Sequence, residues 1–193
     1  TTEDMQKMAA MEANTEPYLK TSVWKHARHR IVWLLVLMLS ASITGAIISK
    51  YEAAFAAVPL LVSFIPMLMD TGGNCASQRS TLIIRGLAVD ELHFAAAAKV
   101  IWKELRVALL VGLGLGIVNA GSIMLRYNDP RLAVVVSLSL LCTVMCAKVT
   151  GGLLPIAAKR LGLDPALMAA PLITTVVDTL SMFIYLTVAT MHI

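Results

Sequence analysis

A lone acid in an apolar run poses the first chemical question. Asp178 is the only charged residue between Ala166 and Met191, a stretch long enough to cross a bilayer. A carboxylate at that depth is costly to place in lipid and marks an ion path, a proton relay or a catalytic site. Thr174, Asp178, Ser181 and Tyr185 step by four, three and four, which puts them on one face of a helix. A second acid, Asp70, belongs to a similar stripe: Ser63, Pro66, Asp70, Asn74, Ser77 or Gln78, Thr81 and Arg85 recur at three- and four-residue steps. Two helices with a polar stripe, each holding one acid, describe the walls of a shared aqueous path.

The donors in these stripes are oxygens. Asp178, the Thr174 backbone one turn away, Asn74 and the carbonyls around Gly72-Gly73 suit a hard divalent cation. Mg2+ gives up its waters reluctantly, so such a site best holds the hydrated ion through outer-sphere hydrogen bonds. No His or Cys lies near Asp178 in sequence, which argues against a soft-metal site for Zn2+ or Cu+. Two other chemistries use the same residues. Asp70-Thr71-Gly72 spells the D-T-G of soluble aspartic proteases, so two acids on different spans could share a proton as an intramembrane protease dyad. The triplet sits in a helical segment rather than a strand–loop, and Asp178 follows Val177 where the intramembrane class has a Tyr-Asp signature. Alternatively Lys148, in another apolar run, could neutralise Asp178 as a structural ion pair.

The elements that must position these residues are apolar helices. With 58% hydrophobic residues and a mean hydropathy of +0.78, the chain is no ordinary soluble domain. Five runs approach span length: Ile31–Ser49, Ala53–Met69 with a continuation, Val107–Leu125, Leu132–Pro155 and Ala166–Met191. They are continuous rather than alternating, which excludes barrel strands. The expected fold is therefore all-α, a polytopic membrane protein with five transmembrane helices. The second element runs from Ala53 to Val89 without a clear exit loop, and Pro66 and Gly72-Gly73 are the places expected to kink or unwind. Gly112 and Gly116 form a G-x-x-x-G that permits close helix approach and weakly suggests dimerisation.

Basic residues orient the bundle. With the N-terminus inside, the cytoplasmic face carries Lys7, Lys20, Lys25, Arg28, Arg30, Arg79, Arg85, Lys99, Lys103, Arg106, Lys159 and Arg160, against Lys50, Arg126 and Arg131 outside. That bias and contact with anionic lipid account for the net charge of +4, which therefore does not argue for nucleic acid. Cys75, Cys142 and Cys146 make neither a disulfide framework nor a thiolate metal signature, and His26 and His29 read as interfacial anchors beside Trp24 and Trp33. Residues 1–30 are expected to be a cytoplasmic connecting helix and juxtamembrane segment, with Met5, Met8 and Met11 at helical spacing and Pro17 near its end. Residues 31–193 are expected to be the membrane domain. The chain reads as a membrane part cut from a longer protein.

At these residues the sequence resembles a known family. Pro66 to Ala88, PMLMDTGGNCASQRSTLIIRGLA, looks like the second transmembrane helix of the MgtE magnesium channels. Leu161 to Leu186, LGLDPALMAAPLITTVVDTLSMFIYL, is similar to that family's fifth helix. The resemblance implies a homodimer in the bacterial plasma membrane, with a Mg2+-selective pore lined by the second and fifth helices near the dyad. An acid matching Asp178 would bind the permeating hydrated Mg2+, and Gly72, Gly73 and Asn74 would lie toward the cytoplasmic side. It also implies an N-terminal helical domain and a CBS pair in the cytosol, which this chain lacks, with Thr1 to about Thr21 as the connecting helix. Two departures stand out. Asp70 occupies a position where family members often have a small residue, so it adds a second ring of charge or faces the cytoplasmic mouth. Cys75-Ala76-Ser77-Gln78 follows the Asn where a Gly-rich stretch is also common, which leaves the local backbone shape open. A passive channel is the reading this supports; a Na+- or H+-coupled divalent cation transporter is the alternative.

Overall fold

The computed structural model describes residues 7–9, 19–89, 97–168 and 170–192, and these carry helices and no strand. Six α-helices follow in order: α1 Val23–Lys50, α2 Glu52–Ala57, α3 Ile65–Ala88, α4 Ala97–Tyr127, α5 Pro130–Arg160 and α6 Ala170–His192. Short 3-10 segments, Pro59–Phe64 and Pro165–Met168, lead into α3 and α6. Among the described residues, four helices are long and apolar enough to cross a membrane, Val23–Lys50, Ala98–Tyr127, Pro130–Arg160 and Pro171–His192. α3 is the polar exception in the bundle. The Met5, Met11 and Pro17 readings, and the His29 side chain, lie outside the described residues.

Local signals explain the element ends. Ser22 caps α1 by accepting from Lys25 N–H over 3.3 Å. Asn128 takes a positive φ of 50° in the tight α4–α5 turn, and Asp129 then caps α5 by accepting from the backbone N–H groups of Arg131 and Leu132 at 2.9 and 3.1 Å. Gly162, at φ +73°, closes α5: its N–H reaches the Lys159 carbonyl and the Leu163 N–H reaches the Ala158 carbonyl, the paired bonds of a Schellman end. The fourth run thus continues past Pro155 to Arg160, with Pro155 buried inside the helix.

The second element departs from expectation. Ala53–Met69 is not one helix but α2, a 3-10 segment beginning at Pro59, and the first turn of α3, which has Pro66 near its start. Prolines favour helix starts because they have no N–H to leave orphaned. Gly72-Gly73, by contrast, lies within an uninterrupted helix from Ile65 to Ala88. The glycines there serve close packing rather than unwinding.

α3 is wedged between α5 and α6, and α4 lies along α5. The core that joins them contains Leu61, Leu68, Ala76, Val136, Val144 and Val177, all at most 1% exposed. α1 packs on α6 alone among the long helices and leaves most of its apolar surface outward, as a lipid-facing helix does. A polar contact ties it to α6, Thr44 Oγ1 to Thr179 Oγ1 at 2.8 Å. The Gly112 and Gly116 faces meet α5 within the same chain, at Leu141 and Ser137, so this G-x-x-x-G tightens an internal helix pair.

Candidate functional site

The polar stripe of α3 is on the outside of the bundle. Pro66, Asp70, Asn74, Gln78, Thr81 and Arg85 are exposed, as is Ser63 just before the helix, while Gly72, Cys75, Ala76, Arg79 and Ile83 turn inward. The division follows from the helical period: the four-residue steps keep one row together, and the intervening apolar and small residues take the core.

Thr174 and Asp178 of α6 reach the edge of this stripe. With Ile65, Pro66, Met69, Asp70, Gly73 and Asn74 they line an open cavity of about 460 Å3. Five of the six sequence-nominated residues, Asp178, Thr174, Asn74, Gly73 and Asp70, therefore share one cavity, and the sixth, Gly72, is buried behind it. Asp70 belongs to the same site as Asp178, since both line this cavity.

Gly73 makes the approach of α6 possible. A β-carbon there would lie 3.1 Å from Thr174 Cγ2 and 3.9 Å from Asp178 Oδ1. Gly72 does the same on the inner side, where a β-carbon would lie 2.8 Å from Ser181 Oγ and 2.9 Å from Thr143 Cγ2. The carbonyls of both glycines belong to a regular helix, so each has at most a second lone pair to offer.

Side-chain polarity within the cavity is ordered. Asn74 Nδ2 donates to Asp70 Oδ2 over 3.2 Å, one turn apart on α3. Thr174 Oγ1 donates to the Pro171 carbonyl at 3.0 Å. Among the described residues Asp178 has neither a hydrogen bond nor an ion pair with a protein group, and no ion pair joins it to Lys148. The structural-pair expectation is corrected accordingly. A half-buried carboxylate with no protein partner and an open cavity in front of it can meet water or a cation.

The lower half of the α6 stripe does not line the cavity. Ser181 and Tyr185 are buried, and Tyr185 donates its hydroxyl to the Leu61 carbonyl at 2.8 Å. Tyr185 is thus a tie between α6 and the 3-10 segment ahead of α3. Also absent from the sequence reading is the pair Arg79–Glu104, 2.8 Å apart and largely buried between α3 and α4. An arginine on the inward face of a membrane-length helix is the signal that an acid must be near it. Among the described residues no three His, Cys, Asp or Glu side chains converge on a first-shell metal position, and the three cysteines are free. The donor set fits an ion that keeps its water rather than one stripped of it.

Comparison with known proteins gives the family. The family model described as "MgtE: Divalent cation transporter" matches residues 65–188, from the start of α3 almost to the end of α6. The chain is 37% identical over 190 residues to the magnesium transporter MgtE of Thermus thermophilus, covering 97% of this chain and 42% of that relative. It is 32% identical over 191 residues to the protein of the same name from Bacillus subtilis, covering 99% of this chain and 42% of the relative. A third, from Enterococcus faecalis, is 32% identical over 172 residues, or 86% of this chain and 37% of the relative. The chain thus spans about two fifths of the length of the curated relatives it matches, each of which is named a magnesium transporter. By the extent of the family match and of these identities, this helical membrane protein belongs to the MgtE family of divalent cation transporters.

Proposed function

We propose that this chain forms the membrane pore domain of a Mg2+ channel, working as a homodimer in the bacterial plasma membrane. The observation that carries the reading is Asp178: a carboxylate with no protein partner among the described residues, facing a cavity of about 460 Å3. Six waters at about 30 Å3 each need roughly 180 Å3. The cavity is large enough for Mg2+ with its first shell intact, so the costly dehydration step is avoided.

In this reading α3 also spans the membrane, second in chain order, which makes five spans. Its 24 residues extend about 36 Å, enough for a hydrocarbon core of about 30 Å. Its exposed polar row is unsuited to lipid and faces the same row of a second copy across a water-filled pore. The N-terminus is inside, by the excess of basic residues on that side. Asp178 is the central ion contact. Thr174, Asn74, Gly73 and Asp70 complete the wall. The cytosolic helical and CBS domains of longer relatives act as the sensor of intracellular Mg2+.

The test is Mg2+ uptake into liposomes with the potential clamped by K+ and valinomycin. Voltage-driven uptake by the wild type and its loss in Asp178→Asn are expected. Equal uptake by both would remove Asp178 from the pathway. Uptake that collapses when a Na+ or pH gradient is withdrawn at fixed voltage would replace the channel by a coupled transporter.

A further inference from the structure

We propose that Asp70 makes the cavity a selective receptor for hydrated divalent cations, by adding a second carboxylate and by fixing the orientation of the Asn74 amide. This rests on the pore reading above. Asn74 and Asp70 lie one helical turn apart on the exposed row of α3, joined by the 3.2 Å bond from Nδ2 to Oδ2. An ionised carboxylate can only accept hydrogen bonds, so the amide nitrogen must be the atom that faces Asp70. The amide is planar, and Asn74 Oδ1 is left as the atom to meet the cavity.

Thr174 is committed in the same sense from the opposite helix. Its hydroxyl proton goes to the Pro171 carbonyl, which leaves only oxygen lone pairs toward the cavity. Asp178 contributes a carboxylate with no donor of its own. The polar side chains that line the cavity, Asp70, Asn74, Thr174 and Asp178, are therefore rich in acceptors: two carboxylates, the Thr174 oxygen and the Asn74 amide oxygen, with one of the two Asn74 N–H donors occupied by Asp70. The waters around a cation point their hydrogens outward, so an acceptor-rich wall is the complement of an aquo-cation. Without Asp70 the Asn74 amide could turn and present N–H groups to those hydrogens. Two carboxylates per protomer also favour a divalent over a monovalent ion, since one Na+ leaves the pair with net negative charge.

Three variants separate these roles. Asp70→Asn keeps an oxygen that can accept from Asn74 Nδ2 and removes the charge. Asp70→Ala removes both. Asp70 is exposed, so neither change opens a hole in the core. In proteoliposomes at fixed potential, Asp70→Asn raises the half-saturating Mg2+ concentration about tenfold, the Coulomb factor for a divalent ion about 6 Å from one charge in water. Asp70→Ala raises it further and increases Na+ flux measured at low Mg2+. Asp178→Asn serves as the control for the pore itself. Wild-type half-saturation and Na+ flux in both Asp70 variants, with flux lost in Asp178→Asn, would overturn the role of Asp70 and leave the pore reading standing. Unchanged flux in Asp178→Asn as well would overturn the pore reading. Equal effects of Asp70→Asn and Asp70→Ala would overturn the orientation of Asn74 while retaining the charge.

Discussion

Gly151→Ala tests how closely α3 is held. Gly151 lies on α5 directly against the backbone of α3. An added β-carbon would lie 2.5 Å from the Ala76 carbonyl oxygen and 3.0 Å from Ala76 Cα. Ordinary contact begins near 3.4 Å, so α3 and α5 must separate by up to 0.9 Å. The obstacle is main chain, and no side-chain rotation relieves it. Overpacking of this kind costs about 1–3 kcal/mol. Alanine recovers up to about 1 kcal/mol of helix propensity over glycine. The net expectation is a loss of up to about 2 kcal/mol, together with displacement of Asp70, Gly73 and Asn74, which ride on α3. Gly114→Ala is the matched control: it has nothing within 4 Å of its β-carbon, so the propensity gain stands alone. Thermal unfolding in detergent, followed by size-exclusion of the surviving fraction, would show Gly151→Ala melting below wild type and Gly114→Ala at or above it. Mg2+ flux should fall in the first and persist in the second. If both variants melted together and conducted normally, the α3–α5 contact would not be as close as its geometry indicates.

Tyr185→Phe removes the hydroxyl's bond to the Leu61 carbonyl and should cost about 0.5–1.5 kcal/mol; a melting temperature equal to wild type would contradict the tie. Glu104→Ala strands the buried Arg79 guanidinium and should destabilise by about 3–5 kcal/mol, whereas the double change Arg79→Met with Glu104→Leu recovers most of the loss. Equal stability of the single and double variants would show that the pair is not coupled. Lys148→Met should leave Mg2+ flux and its dependence on Asp178 as in wild type, since no ion pair links the two residues. A flux defect relieved by removing both charges would reinstate a pair.

The sequence alone determined the class of molecule and singled out Asp178 as its unusual residue. Apolar content is a sum over local stretches, so membrane-length helices and the cost of an acid such as Asp178 are readable without knowing any neighbour. The exposed row of α3 was equally legible, because a helix's own period decides which residues share a face. What that face meets is a different matter. Thr174, Asp178, Ser181 and Tyr185 are one row by spacing, yet the first two reach the cavity, while Ser181 is covered at Gly72 and Tyr185 is tied to Leu61. The neighbour changes along the row because the segment ahead of α3 breaks at Pro59 and lies over the far part of α6. Gly72-Gly73 shows the same limit: glycine pairs permit both unwinding and close packing, and the side chains of α6 decided for packing. The pairing of Arg79 with Glu104, the orientation of Asn74 by Asp70, and the commitment of the Thr174 proton needed the tertiary structure, since each depends on distances between atoms that helical spacing does not specify.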